Sequence, residues 1–234
     1  MPRPLAATLL VVALAVPSAC AHQPRVRPEV RGEPTGEPKA ERVGQLRLVG
    51  AWSLQATIPD FGGISAAALE GDRLWLLSDR SRLFSLDWPE LVPVGPFGAT
   101  MLSQEELRLG DGQELDAEAL VLLPDGSRIV ADEARGWLVR FLAGDARPAE
   151  RPWPVAGLGD DQGTNQGLET VARLPDGSLL AIGEAEDGGP DRHRAMRLAD
   201  DYSSTLAQLY RSRPGFRPTD AAVAGAHLFV LERS

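Results

Sequence analysis

The stretch LDAEALVLLPDGSRIVADEARGWLVRF, residues 115–141, decides the fold. Two short apolar runs flank Pro124-Asp125-Gly126. Proline presets its own φ and glycine accepts φ > 0, so the chain turns back there as a hairpin. The second run, residues 129–132, is short and rich in branched side chains, which suits a strand buried on both faces. Residues 137–141 add a third strand. Three other stretches repeat the pattern: GGISAAALEGDRLWLLSDRSRLFSL (62–86), QGLETVARLPDGSLLAIGEAE (166–186) and RPTDAAVAGAHLFVLERS (217–234). Leu174-Pro175-Asp176-Gly177-Ser178 repeats the turn, and Glu70-Gly71-Asp72 serves in its place in the first repeat. Further strand-like pieces follow at residues 83–86 and 195–198.

The first-strand anchors of the four repeats are Ser65, Glu118, Glu169 and Asp220, spaced by 53, 51 and 51 residues. A constant period near fifty marks a repeat architecture, and three or four antiparallel strands per period make a propeller blade. The expected class is therefore all-β, a β-propeller of four-stranded blades. A β-sandwich also uses short strands but gives no reason for a fixed period. About three and a half blades are present, whereas closed propellers carry about 4–8. The sequence thus reads as part of a product longer by about two blades. Residues 46–56 read as a strand that would close the ring against a C-terminal blade.

Outward from the repeats, residues 5–16 form an apolar run too short to span a bilayer, preceded by Arg3 and followed by Pro17-Ser18-Ala19-Cys20-Ala21. Residues 1–20 read as an export signal. Either the chain is cleaved after Ala21, or Cys20, the single cysteine, is acylated as in a bacterial lipoprotein. Residues 21–44, rich in proline and alternating charge, read as a disordered tether before a domain at 45–234. An exported monomer is expected, in the periplasm, on the outer membrane as a lipoprotein or outside the cell, touching membrane only through a lipid anchor.

Composition narrows the function. The chain carries 33 acidic against 24 basic residues, net −9, and residues 45–234 alone carry 29 against 18, net −11. Without a basic patch, nucleic acid is not an expected partner. One cysteine excludes a disulfide framework or a Cys-rich zinc site. With 24 glycines and 19 prolines, the chain is punctuated too often for a helical bundle. No glycine-rich loop has nucleotide-binding spacing, so no nucleotide cofactor is expected.

In a propeller the first strands line the channel, which brings Glu118, Glu169 and Asp220 together as candidate catalytic acids beside Ser65. Asp79, Glu133, Glu184 and Glu232 on the adjacent strands are candidate metal ligands. Oxygen-only donors favour Ca²⁺ or Mg²⁺ over zinc. Arg80 and Arg233, each following such an acid, are candidates for gripping phosphate oxygens. The plainer alternative is that these acids bond backbone amides of the next blade or pair with the arginines. Residues 160–165 (DDQGTN) read either as a calcium loop or as a polar turn, and their spacing is not that of an EF-hand. Gly63-Ile64-Ser65-Ala66-Ala67 lacks the second glycine of a nucleophile elbow.

Gly62-Gly63-Ile64-Ser65, Ser78-Asp79-Arg80, Asp116-Ala117-Glu118-Ala119, Asn165-Gln166-Gly167-Leu168-Glu169 and Leu231-Glu232-Arg233 occur in an order that resembles the phytase-like, or esterase-like, β-propeller family of bacterial secreted proteins. The resemblance spans about residues 48–234 and implies a six-bladed propeller. It also implies hydrolase activity, through distant similarity to calcium-dependent phytases. A metal-assisted phosphoester hydrolase acting on a small phosphorylated substrate follows as the leading expectation. A non-catalytic propeller that binds a ligand or an envelope partner is the rival.

Overall fold

The computed structural model describes residues 11–13, 28–35, 42–43, 46–47, 50–88, 95–159, 166–199, 201 and 205–234, and every regular element among them is a β-strand. In chain order the first nine are β1 (Val11–Ala13), β2 (Glu29–Pro34), β3 (Arg42–Val43), β4 (Leu46–Arg47), β5 (Ala51–Ala56), β6 (Ile64–Glu70), β7 (Arg73–Ser78), β8 (Arg82–Asp87) and β9 (Phe97–Glu106). β6 to β9 lie in sequence order within one sheet, which β2, β5 and β1 extend beyond β9. The second repeat forms the sheet β10 (Ala117–Leu122), β11 (Arg128–Asp132), β12 (Trp137–Phe141) and β13 (Trp153–Pro154). The third forms β14 (Leu168–Arg173), β15 (Leu179–Glu186), β16 (Arg192–Leu198) and β17 (Thr205–Arg211). The fourth is the pair β18 (Arg217–Ala224) and β19 (His227–Arg233). Each of the second and third repeats is a four-stranded antiparallel meander in sequence order, so the fold is a β-propeller built from blades.

The Pro-Asp-Gly turns form as their chemistry requires. Gly126 and Gly177 adopt φ of 79° and 91°, and Leu123 and Leu174 N–H groups close the turns on the carbonyls of Ser127 and Ser178 at 2.8 Å each. In the second blade Asp125 Oδ1 accepts from the Ser127 amide and hydroxyl, while Arg140, two strands over, donates to Ser127 Oγ (3.1 Å) and Asp125 Oδ2 (2.6 Å). Arg197 repeats this clamp on Ser178 (3.0 Å) and Asp176 in the third blade. Bonds from the turn serines, seconded by these arginines, hold both aspartates below the usual carboxylate range.

The chain divides into two compact units, one of residues 1–64, 69–76 and 83–104, the other of residues 65–68, 77–82 and 105–234. The first is packed around Trp52, Leu54, Phe61, Leu74, Leu76, Phe84 and Leu86, all buried, with Phe61 and Phe84 edge to face at 5.1 Å. The second buries a continuous cluster between its blades, including Val121, Ile129, Leu138, Leu158, Leu168, Val171, Leu179 and Met196. Its first strands lie side by side, β10 against β14 and β14 against β18. That adjacency brings the blades' polar strand ends together.

Two expectations from the sequence need correction. Residues 29–34, inside the stretch read as a tether, form β2 and pair with both β5 and β9. Val30 is fully buried there, and a Cβ at Gly32 would lie 2.1 Å from the Phe97 ring, so a small residue lets the strand sit on that aromatic. Residues 46–56, read as a ring-closing strand, instead give β4, paired with β3, and β5, paired with β2 and β1. Apart from β1, residues 1–20 with Cys20 lie outside the described residues, as do residues 160–165.

Candidate functional site

Three equivalent positions per blade build the site. Along β10, Ala117 faces Asp132 and Ala119 faces Ala131, which leaves Glu118 as the extra residue of a β-bulge. Glu169 occupies the same bulge in β14, between Leu168 opposite Gly183 and Thr170 opposite Ile182. In β18 the bulged residue is Thr219, between Pro218 opposite Glu232 and Asp220 opposite Leu231. Two residues before each bulge stand Asp116, Gly167 and Arg217. Their partners on the second strand are Glu133, whose amide bonds Asp116 O at 2.8 Å, Glu184, whose amide bonds Gly167 O at 2.9 Å, and Arg233, paired with Arg217. The second blade therefore presents Asp116, Glu118 and Glu133, the third Gly167, Glu169 and Glu184, and the fourth Arg217, Thr219 and Arg233.

Asp116, Glu118 and Glu133 each place a carboxylate oxygen within 4.8 Å of the others. Burial, then the charges of Glu133, Glu169, Asp116 and Asp79, push the Glu118 carboxyl up to about 8. Glu133 is buried and accepts the Gly167 amide at 2.9 Å, which ties the second blade to the third. Glu169 and Glu184, with side chains only 7% and 3% exposed, share one nitrogen of Arg233, Nη2, at 3.0 and 2.9 Å. Burial and Glu184 push Glu169 up to about 7 against the opposing pull of Arg233 and Arg217. Partial burial works against the charge of Arg233, but Glu184 and Glu169 outweigh it and leave its pKa raised.

The remaining predicted residues stand apart from this group or at its margin. Ser65 Oγ donates to Ala117 O at 2.6 Å and Leu77 O at 3.3 Å, a link to the neighbouring first strand. Asp79 is exposed, accepts from Ser78 Oγ (3.1 Å) and approaches Arg80 at 4.0 Å, with Arg80 itself directed to solvent. Asp220 follows the bulge instead of filling it, and its carboxylate accepts the Ala221 amide at 2.7 Å. Burial raises its pKa to about 6 against that bond. Glu232 aligns with Asp132 and Gly183, one place before the acids of the other blades, and accepts from Tyr210 Oη at 2.6 Å. Sequence reasoning missed Asp116 and Arg217. The available signal was period-two alternation, which sets each on the same strand face as the bulged residue two places later.

The sequence profile of the phytase-like family, described as esterase-like activity of phytase, matches residues 59–234. The chain belongs to the phytase-like family. No curated protein matches this phytase-like chain. Among solved structures it resembles a streptogramin B lyase at 14% identity and TM-score 0.43, covering 71% of this chain and 46% of the lyase. A virginiamycin B lyase from Staphylococcus aureus matches at 12% identity and TM-score 0.45, with 76% and 52% covered. YCF48 bound to D1 peptide matches at 14% and 0.41, with 77% and 51% covered. The phytase-like chain thus spans about half the length of these structures.

Proposed function

We propose that this phytase-like chain is a divalent-cation-dependent phosphoester hydrolase whose cation is held by Asp116, Glu118 and Glu133. The observation that carries the reading is the mutual spacing of the three carboxylates within 4.8 Å. Oxygens on opposite sides of a calcium ion lie about 4.6–5.2 Å apart at bond lengths of about 2.3–2.6 Å, so the donor set fits a hard cation. A bound Ca²⁺ would offset the charge of phosphoryl oxygens and lower the pKa of a bound water.

The chain's own groups do the rest. Gly167 N–H fixes one oxygen of Glu133 and so orients its carboxylate. Glu169, pushed up to about 7, can hold or release a proton at its carboxyl near neutrality, which suits a general acid or base. Arg233 holds Glu169 and Glu184 in place and keeps part of its guanidinium exposed towards solvent. Asp79, at the margin, adds negative charge that Glu118 senses.

Hydrolysis of a phosphomonoester and a phosphodiester, followed with and without Ca²⁺ and after chelation, tests the reading. Turnover that vanishes on chelation and returns with Ca²⁺ is expected. Turnover unchanged by chelation would refute the cation dependence, and absent turnover would leave a ligand-binding propeller as the better description. Export, with acylation at Cys20, belongs to the same proposal. Cys20→Ala should release the protein from membranes, and equal membrane attachment of both forms would refute the anchor.

A further inference from the structure

The fourth blade reverses the charge of the second at matching positions. Where Asp116 precedes β10 and Glu133 follows β11, β18 and β19 present Arg217 and Arg233, paired directly across the two strands. Directly opposed residues share a sheet face with Cβ atoms about 4.5–5.5 Å apart, and like charges so placed repel. Such a pair is stable only near negative charge, and the protein supplies it unevenly. Glu169 and Glu184 both take Nη2 of Arg233. The Nε and Nη1 groups of Arg233 make no hydrogen bond among the described residues, and its side chain is 59% exposed. Arg217 has no ion-pair or hydrogen-bond partner among the described residues. It is half-buried and near enough to Glu169 to oppose that group's raised pKa.

We propose that Arg217 and Arg233 form a clamp for the dianionic oxygens of a phosphomonoester, beside the carboxylates of the second and third blades. The guanidinium fork of Arg217, with the remaining Nε and Nη1 donors of Arg233, offers several N–H groups to the terminal oxygens of a phosphoryl group. Glu169 and Glu184 anchor Arg233 through Nη2 and leave Nε and Nη1 as single donors, while Arg217 supplies a whole fork. Arg80, exposed and 4.0 Å from Asp79, has no place in this clamp. The inference rests on the hydrolase reading for the identity of the anion.

Inorganic phosphate is the probe, titrated calorimetrically into the full chain and into Arg217→Gln and Arg217→Lys, with Ca²⁺ affinity measured separately and thermal melts as folding controls. Arg217 is the diagnostic position because replacing Arg233 also strips Glu169 and Glu184 of their counter-charge. Phosphate affinity should fall about tenfold in Arg217→Gln, with partial retention in Arg217→Lys and Ca²⁺ affinity unchanged. In turnover, KM for a phosphomonoester should rise more than kcat falls. Equal phosphate affinity in wild type and Arg217→Gln, or no phosphate binding at all, would overturn the clamp. Calcium-dependent hydrolysis with KM indifferent to Arg217→Gln would overturn the clamp and leave the hydrolase reading standing. Phosphate binding that needs Arg217 without hydrolysis would do the reverse.

Discussion

The second and fourth blades share strand order and a bulge in the first strand, yet Asp116, Glu118 and Glu133 in one become Arg217, Thr219 and Arg233 in the other. The backbone repeat sets where side chains point and leaves their charge free to vary. The third blade stands between them, with Gly167 where the others carry a charge and with Glu169 and Glu184 sharing the fourth blade's Arg233. The proposed cation and anion sites would then lie two blades apart on one structural template.

The largest effect should come from making the second blade less acidic. Glu133→Gln removes a buried ligand candidate and should lower calcium-dependent kcat/KM by about 100-fold or more, read from steady-state kinetics. Next comes Arg233→Gln, which leaves Glu169 and Glu184 buried without their cation. We expect a loss of stability of about 1–3 kcal/mol in denaturant unfolding, larger at pH 8 than at pH 5, because at pH 5 the Glu169 carboxyl, pushed up to about 7, can take up a proton instead.

A smaller effect concerns pH in the absence of calcium. Glu118 and Glu169, pushed up to about 8 and about 7 from an ordinary 4.5, hold more protons folded than unfolded across that interval. The stability these groups contribute should therefore be full below pH 4.5 and decline as pH rises towards 8. Added Ca²⁺ should flatten the decline, and so should Glu118→Gln. A wild-type stability that rises over this range, attributable to these residues by the same variant, would contradict their placement. Asp220→Asn should matter least, changing kcat/KM by less than about fivefold, because Asp220 sits past the bulge and its carboxylate accepts its neighbour's amide.

Much of the fold was legible in the sequence, because hairpin turns and strand pairs are local. Pro124-Asp125-Gly126 and Pro175-Asp176-Gly177 mark their turns through residue chemistry alone, and the period near fifty follows from counting between repeats. The site was legible only in part. Glu118, Glu133, Glu169 and Glu184 fall where spacing put them, but equal counting carries Glu169 to Asp220, whereas the bulge lies at Thr219. One residue fewer between those blades shifts every side chain to the other face, and spacing cannot report that shift without the pairing register. The same shift moves Glu232 towards Tyr210 and puts Arg233 where an acid was expected. Asp116 and Arg217 escaped because one anchor per first strand was sought, although alternation gives two on one face. β2 escaped because its charged and proline-rich setting masks the buried Val30.

The contrast between the two blades is tested most directly by calorimetric titration of Ca²⁺ into the full chain at neutral pH, beside Glu133→Gln and Arg217→Gln. Saturable binding with proton release, lost in Glu133→Gln and kept in Arg217→Gln, is the predicted result. No saturable binding in the wild type, or equal binding after Glu133→Gln, would contradict the assignment of the cation to Asp116, Glu118 and Glu133.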